Sequence, residues 1–195
     1  MKNSLWLCIY LFSFLLHANF ATAQLGNKNM YSLANLDQHG ENYSALWGYK
    51  APDGREYAIL GCYDGTAFID ITDPQNIHEV DFVNSTSVGN YFNLWREMKI
   101  YSHYAYIVSE VRNSGVQIVD LQYLPDSVRY VQKYVPADHS YSHSISQSGP
   151  YLYLNGSNSS FGQGTVVLDL TNDPENPVKR GGFNLDYIHD CRVVD

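Results

Sequence analysis

Three segments of this 195-residue chain repeat one pattern: Thr66-Ala-Phe-Ile-Asp70-Ile-Thr-Asp-Pro74, Val116-Gln-Ile-Val-Asp120-Leu and Thr165-Val-Val-Leu-Asp169-Leu-Thr-Asn-Asp-Pro174. Their aspartates lie 50 and 49 residues apart. Tyr57, Tyr106 and Tyr153 each open an apolar run 13 to 16 residues before that aspartate, and ten residues before each tyrosine stand Trp47, Arg96 and His143. Short strands recurring at about 40–50 residues predict a propeller or a related repeat array, in which each unit buries a face that it cannot bury alone. The fold class expected is therefore all-β.

Each repeat reads as four short strands, clearest in the second: Trp95 to Tyr101, Tyr104 to Glu110, Val116 to Leu121 and Val128 to Tyr134. The first runs Trp47 to Lys50, Tyr57 to Gly61, Thr66 to Ile71 and His78 to Val83. The third runs His143 to Ser146, Tyr151 to Asn155, Thr165 to Leu170 and Val178 to Phe183. These runs are β-branched and aromatic, and Gly, Asn, Ser and Pro bound them. Asp64-Gly65 between two such runs is a hairpin signal. Asp73-Pro74 and Asp173-Pro174 supply the bend into the outermost strand. A fourth repeat opens at Tyr187-Ile-His189-Asp-Cys-Arg-Val-Val194. The units are 44–90, 91–138, 139–186 and the start of a fourth at 187–195. Because closed propellers carry about 4–8 blades, the expectation is a fragment of a larger ring, with an open solenoid as the alternative.

Residues 1–23 read as a secretory signal peptide: Lys2, an apolar segment from Leu5 to Leu16, and Ala21-Thr-Ala23 before Gln24. A buried N-terminal helix is the competing reading. Residues 24–43 form an irregular leading segment, and no later stretch is apolar enough to span a bilayer. Loss of Lys2 takes the formal charge from −8 to −9. A surface this acidic excludes nucleic acid and anionic lipid as partners and favours cations. Export leaves Cys62 and Cys191, either paired or as two free, buried thiols.

The segments Tyr-Ala-Ile-Leu-Gly…Asp-Gly-Thr-Ala-Phe-Ile-Asp-Ile-Thr-Asp-Pro and Gly-Val-Gln-Ile-Val-Asp-Leu resemble the LVIVD repeat, a β-propeller-like bacterial repeat. The order of elements is similar to that of the "choice-of-anchor B" family of exported proteins, over about 43–195. Residues 95–110 resemble its second blade, and Tyr-Ser-His-Ser-Ile (141–145) and Tyr-Ile-His-Asp-Cys (187–191) its third and fourth blade openings. The resemblance implies export, a propeller and surface anchoring, with a variable anchor domain downstream of residue 195. It implies no particular reaction. The signal resembles those of Bacteroidetes.

In a propeller the first strand of each blade lines a central channel. Trp47, Arg96, His143 and His189 would then face one axis, followed by Gly48, Glu97, Ser144 and Asp190. Three readings stand. The residues line a water-filled channel and bond one another; or Arg96 and the histidines hold an organic or anionic ligand; or His143, His189 and Asp190 hold a divalent metal such as Zn²⁺, Mn²⁺ or Fe²⁺, with Glu97 or Asp190 neutralising Arg96. His139 is expected in a loop, able to swing toward the same mouth. His39, His78 and His103 are expected at the solvated surface. Asp70, Asp120 and Asp169, because they repeat, are expected to cap the turns that follow. Asp173, Glu175 and Asn176 form a weak candidate for Ca²⁺. Asn42, Asn84, Asn155 and Asn158 sit in Asn-x-Ser/Thr sequons. No nucleophile elbow, zinc-protease motif, phosphate loop or dinucleotide fingerprint is present. The expected function is a binding or scaffolding module for extracellular protein or glycan. The alternative is a metal-dependent hydrolase or oxidoreductase at the channel.

Overall fold

Alternating apolar residues punctuated by turn formers produce twelve strands and no α-helix among the described residues. The structure is a computed structural model, and residues 30–40, 42–86, 94–136, 139–157, 163–184 and 186–194 of it are described. Leu33–Asp195 forms one unit. The expected signal peptide lies outside the described residues. No described helix is long and apolar enough to cross a membrane.

The strands are β1 (Tyr43–Lys50), β2 (Glu56–Cys62), β3 (Gly65–Asp70), β4 (His78–Asn84), β5 (Arg96–Tyr101), β6 (Tyr104–Ser109), β7 (Val116–Asp120), β8 (Arg129–Tyr134), β9 (Ser144–Ser148), β10 (Tyr151–Asn155), β11 (Thr165–Asp169) and β12 (Val178–Phe183). They form three four-stranded antiparallel meanders: β1 to β4, β5 to β8 and β9 to β12. Two expectations are corrected. β1 opens at Tyr43, four residues before Trp47, on a bulge between Tyr43 and Leu46. Residues 187–194 form no strand, because no neighbouring strand exchanges a ladder with them. Their carbonyls still meet β9: the Ser144 and Ser146 hydroxyls donate to the His189 and Cys191 carbonyls, each at 2.6 Å.

Register corrects the phase of the repeat. Asp70 pairs with Tyr57, Asp120 with Tyr104 and Asp169 with Tyr151. The equivalent tyrosines are thus Tyr57, Tyr104 and Tyr151. Tyr106 and Tyr153 correspond instead to Ile59. The Tyr-x-Tyr pattern of the second and third repeats, absent from the first, misled the count.

Each sheet buries one face against the next. Ile59 and Phe68 of the first sheet pack with Met98, Ala105, Ile107 and Val119 of the second. Tyr106 and Ile118 of the second pack with Ile145, Leu152, Leu154 and Leu168 of the third. β1 lies beside β5, and β5 beside β9, so the three first strands run as neighbours. The aspartates cap as expected: Asp70, Asp120 and Asp169 accept from the backbone N–H of Thr72 (2.8 Å), Gln122 (3.0 Å) and Thr171 (2.8 Å). Asp73 and Asp173 repeat the motif in the next bend, accepting from Gln75 and Glu175 and from the side chains of Asn76 and Asn176. Glu175 leaves that turn to pair with Arg129.

The Thr171 hydrogen bonds, reinforced by Arg180, hold the Asp169 carboxyl below the usual carboxylate range. A carboxyl depressed in the folded state stabilises above its unfolded value and loses that contribution as pH falls. Asp169→Asn is therefore expected to lower the urea midpoint at about pH 7 and to converge with the parent protein near about pH 2. Equal midpoints at neutral pH would remove the cap from this account.

Other side chains depart from expectation. His39 is only partly solvated: its Nε2 pairs with Glu79 at 2.5 Å and its ring stacks on Phe82 at 4.2 Å. His103 is half-exposed, with Nε2 3.6 Å from Asp120, while His78 is exposed as expected. His139 is buried and bonded to Ser142 at 2.8 Å, and burial pushes its imidazole down to about 4. It does not swing to the mouth. Both described cysteines are free. Burial pushes the Cys62 thiol up to about 11, whereas Cys191 is only partly covered. Asn155 is buried and bonded to Ser144 and Thr165, so its sequon is closed to glycosylation; Asn158 lies outside the described residues.

Candidate functional site

In a meander, the start of the first strand and the end of the second lie at the same edge of the sheet. Where β1, β5 and β9 run side by side, those ends enclose an open groove of about 670 Å³. Arg96, Glu97, His143, His189 and Asp190 line it together with Tyr43, Ser44, Trp95, Glu110 and Ser144.

Trp47 is the site residue that falls elsewhere. It pairs with Ile59, the rung occupied in the other sheets by Lys99 opposite Tyr106 and Ser146 opposite Tyr153. The Lys99 ammonium sits over the Trp47 ring at 3.8 Å, as neighbours on one rung should. Trp47 borders a separate surface hollow with Leu46, Ala58 and Ile71. The β1 bulge and the longer first hairpin put Tyr43, not Trp47, at the groove.

The two histidines come together. Their ring centroids are 3.9 Å apart, inclined at 57°. His143 Nδ1 is 2.5 Å from Glu110 Oε1, and His189 Nδ1 is 2.5 Å from Asp190 Oδ2. Each imidazole is thus oriented by a carboxylate on one ring nitrogen, which leaves Nε2 as the other. His143 is mostly covered, while His189 and Asp190 stand at the rim. The His189 ring holds the Asp190 carboxyl below the usual range. Gly156 makes room for His143 and Tyr187: its φ is +56°, and a Cβ there would come within 2.8 Å of His143 Cβ and 3.1 Å of the Tyr187 ring. Left-handed backbone and close approach both call for glycine.

Arg96 forms the floor. It is 3% exposed, and burial pushes its guanidinium down to about 10. Its Nε donates to the Cys62 carbonyl at 2.9 Å and its Nη2 to that of Tyr63 at 3.4 Å, tying β5 to the end of β2. Glu97 does not serve as its counter-ion in the way expected. It accepts from Lys99 at 2.7 Å and from the Ile145 N–H at 3.0 Å, bridging the second and third sheets. Asp190 is turned to His189. Among the described residues, no group of three or more His, Cys, Asp or Glu side chains is disposed to hold a metal ion. His143, His189 and Asp190 therefore do not make the expected three-ligand set, because the Asp190 carboxylate and the His189 Nδ1 satisfy each other.

Sequence reasoning missed Glu110, Trp95 and Tyr43. Glu110 was legible as the first residue past β6, at the same edge as the start of β5; its N–H donates to the Trp95 carbonyl at 3.3 Å and closes that end. Comparison with family models, with curated proteins and with solved structures finds no match to this chain. What the fold and groove define is a class: an all-β repeat protein of four-stranded antiparallel meanders whose first strands gather polar and aromatic side chains at one edge.

Proposed function

We propose that the three sheets are blades of a β-propeller, exported and held at a bacterial cell surface, and that the groove at its channel mouth binds an extracellular glycan. The resemblance to LVIVD repeats of the choice-of-anchor B family supports the propeller and the export. The packing of β1 against β5 and β5 against β9 supports a shared axis.

The observation that carries the binding reading is the groove's inventory. Trp95, 43% exposed, presents an aromatic face beside Arg96, two carboxylate-oriented imidazoles and Ser144. Sugars need an apolar ring face for their C–H surface and fixed donors and acceptors for their hydroxyls. The polar groups are already held by one another, so little side-chain freedom is lost on binding. A metal-dependent enzyme ranks second, since a carboxylate already engages Nδ1 of each imidazole and no set of three ligands is disposed around one point among the described residues.

Titration of the protein with a panel of neutral and acidic oligosaccharides, followed by tryptophan fluorescence and calorimetry, tests this reading. Saturable binding is expected, weakened about tenfold or more in Trp95→Ala and unchanged in Trp47→Phe. Absence of binding across the panel, or equal loss in both variants, would contradict it.

A further inference from the structure

The groove is richer in hydrogen-bond acceptors than in available donors, and the reason lies in how its histidines are held. An ionised carboxylate only accepts, so Nδ1 of His143 donates to Glu110 and Nδ1 of His189 to Asp190, each at 2.5 Å. In a neutral imidazole the other nitrogen, Nε2, is then an acceptor. The donors at hand are engaged elsewhere. The Ser144 hydroxyl donates to the His189 carbonyl and the Tyr43 hydroxyl to Asp37. Arg96 donates to the carbonyls of Cys62 and Tyr63.

Charge points the same way. Among the described lining residues, the carboxylates of Glu97, Glu110 and Asp190 stand against the single guanidinium of Arg96. Lys99 matches Glu97 at 2.7 Å. That leaves Glu110 and Asp190 against one buried cation while both imidazoles are neutral. The whole chain carries a formal charge of −8, and a field of that sign draws cations toward it. Glu97 lies on β5 and Glu110 just past β6, in the sheet that packs on a neighbour at either side, so their setting is internal to the array. Trp95, in the same groove, offers a ring face that attracts an ammonium.

From these acceptors, carboxylates and aromatic ring we infer that the groove selects glycans carrying an alkylammonium group, held by the Glu110 and Asp190 carboxylates and the imidazole Nε2 atoms. The inference rests on the glycan reading above and adds the substituent that is recognised. It also gives selection a pH sense. Glu97, Glu110 and Asp190 face the imidazoles as anions and Arg96 as a cation. Tyr187 and Tyr43 face them as phenols held above the ordinary range, the first by burial and the second by its bond to Asp37. Of these groups, the imidazoles are the ones that ordinarily change charge between about pH 8 and about pH 5. Once protonated they cancel the two carboxylates, oppose an ammonium and favour an anion.

Calorimetric titration with matched probes tests it: cellotriose, cellotriose with one primary hydroxyl replaced by an amine, and cellotriose with one primary alcohol oxidised to a carboxylate. An alkylammonium stays protonated from about pH 5 to about pH 8. At about pH 8 the amino probe is expected to bind about tenfold more tightly than the neutral parent, with the carboxylate probe weakest. That advantage is expected to shrink as the pH falls to about 5. Glu110→Gln, whose amide oxygen still accepts from His143, is expected to bring the amino and neutral probes together with unchanged circular dichroism. Asp190→Asn, at the exposed rim, serves the same end where Glu110→Gln does not fold. Asp53→Asn, an exposed carboxylate in the first hairpin, is expected to change nothing. A neutral or carboxylate probe bound as tightly as the amino probe at about pH 8, or an amino preference untouched by acid or by the folded groove variant, would overturn the inference and leave glycan binding standing. Binding of none of the probes would overturn both.

Discussion

Gly164→Ala is expected to destabilise the protein by at least about 2 kcal/mol, among the larger effects a single methyl can have. Gly164 precedes β11, and an added Cβ would overlap the Phe183 carbonyl oxygen and lie 2.6 Å from its carbon and 2.9 Å from Asn184 Cα. These are backbone atoms at the end of β12, so no rotamer change relieves the clash. The third and fourth strands of that sheet would have to separate. For a chain of this size the melting midpoint falls about 2–4 °C per kcal/mol, so a drop of about 4–8 °C is expected by calorimetry. Gly48→Ala is the control, because nothing lies within 4 Å of its added Cβ, and it is expected to stay within about 0.5 kcal/mol. Equal midpoints for the two variants would show that β11 and β12 do not approach in this way.

The second large effect falls at Tyr106. Its ring is fully buried between the second and third sheets, and its hydroxyl donates to the Pro174 carbonyl at 2.8 Å, in the bend that leads to β12. Tyr106→Ala leaves a cavity and an unpaired carbonyl, and is expected to cost about 3–5 kcal/mol in denaturant unfolding. Tyr106→Phe keeps the ring and loses only the hydrogen bond, about 1 kcal/mol. The difference between the two separates packing from bonding. Burial pushes the Tyr106 phenol far above its ordinary range. A group held protonated in the fold loses stability as pH rises past its unfolded value, about 10. Tyr106→Phe is therefore expected to lessen the alkaline loss of stability while leaving the acid limb unchanged. An alanine variant no weaker than the phenylalanine variant would contradict the packing of the second sheet on the third.

The fold was legible because its signals are local. Strands such as Tyr151–Asn155 and Val178–Phe183 begin and end where their flanking turn residues place them, and the recurring aspartates cap their turns. One marker went unread: Gly65, Gly115 and Gly164, spaced 50 and 49 residues apart like the aspartates. Each allows the close approach of Val83, Tyr134 or Phe183 from the fourth strand. These glycines fix the phase better than the tyrosines, whose alternation on a strand permits a slip of two residues.

That slip is what misplaced Trp47. Counting back a constant ten residues assumes equal hairpins, whereas β1 carries a bulge that the equivalent strands lack. Arg96, Glu97, His143, His189 and Asp190 reached one groove because register and neighbouring first strands bring them there. Glu110, legible from its place just past β6, was passed over because its role depends on two strand ends meeting, which a count of repeat spacing does not reveal. The pairing of Asp190 with His189 was hidden too, since adjacent residues on an irregular segment, unlike those on a strand, can turn the same way.

The groove rests most directly on the meeting of His143 and His189 beside the neighbouring first strands. Nuclear Overhauser spectroscopy of the histidine-labelled protein measures it directly. Cross-peaks between the two imidazole rings, and from both to Tyr187, are expected, with the His189 ring protons shifting in His143→Ala as the ring current of its neighbour is lost. Two imidazoles without a mutual cross-peak, and a His189 spectrum untouched by that substitution, would contradict the convergence and the groove built on it.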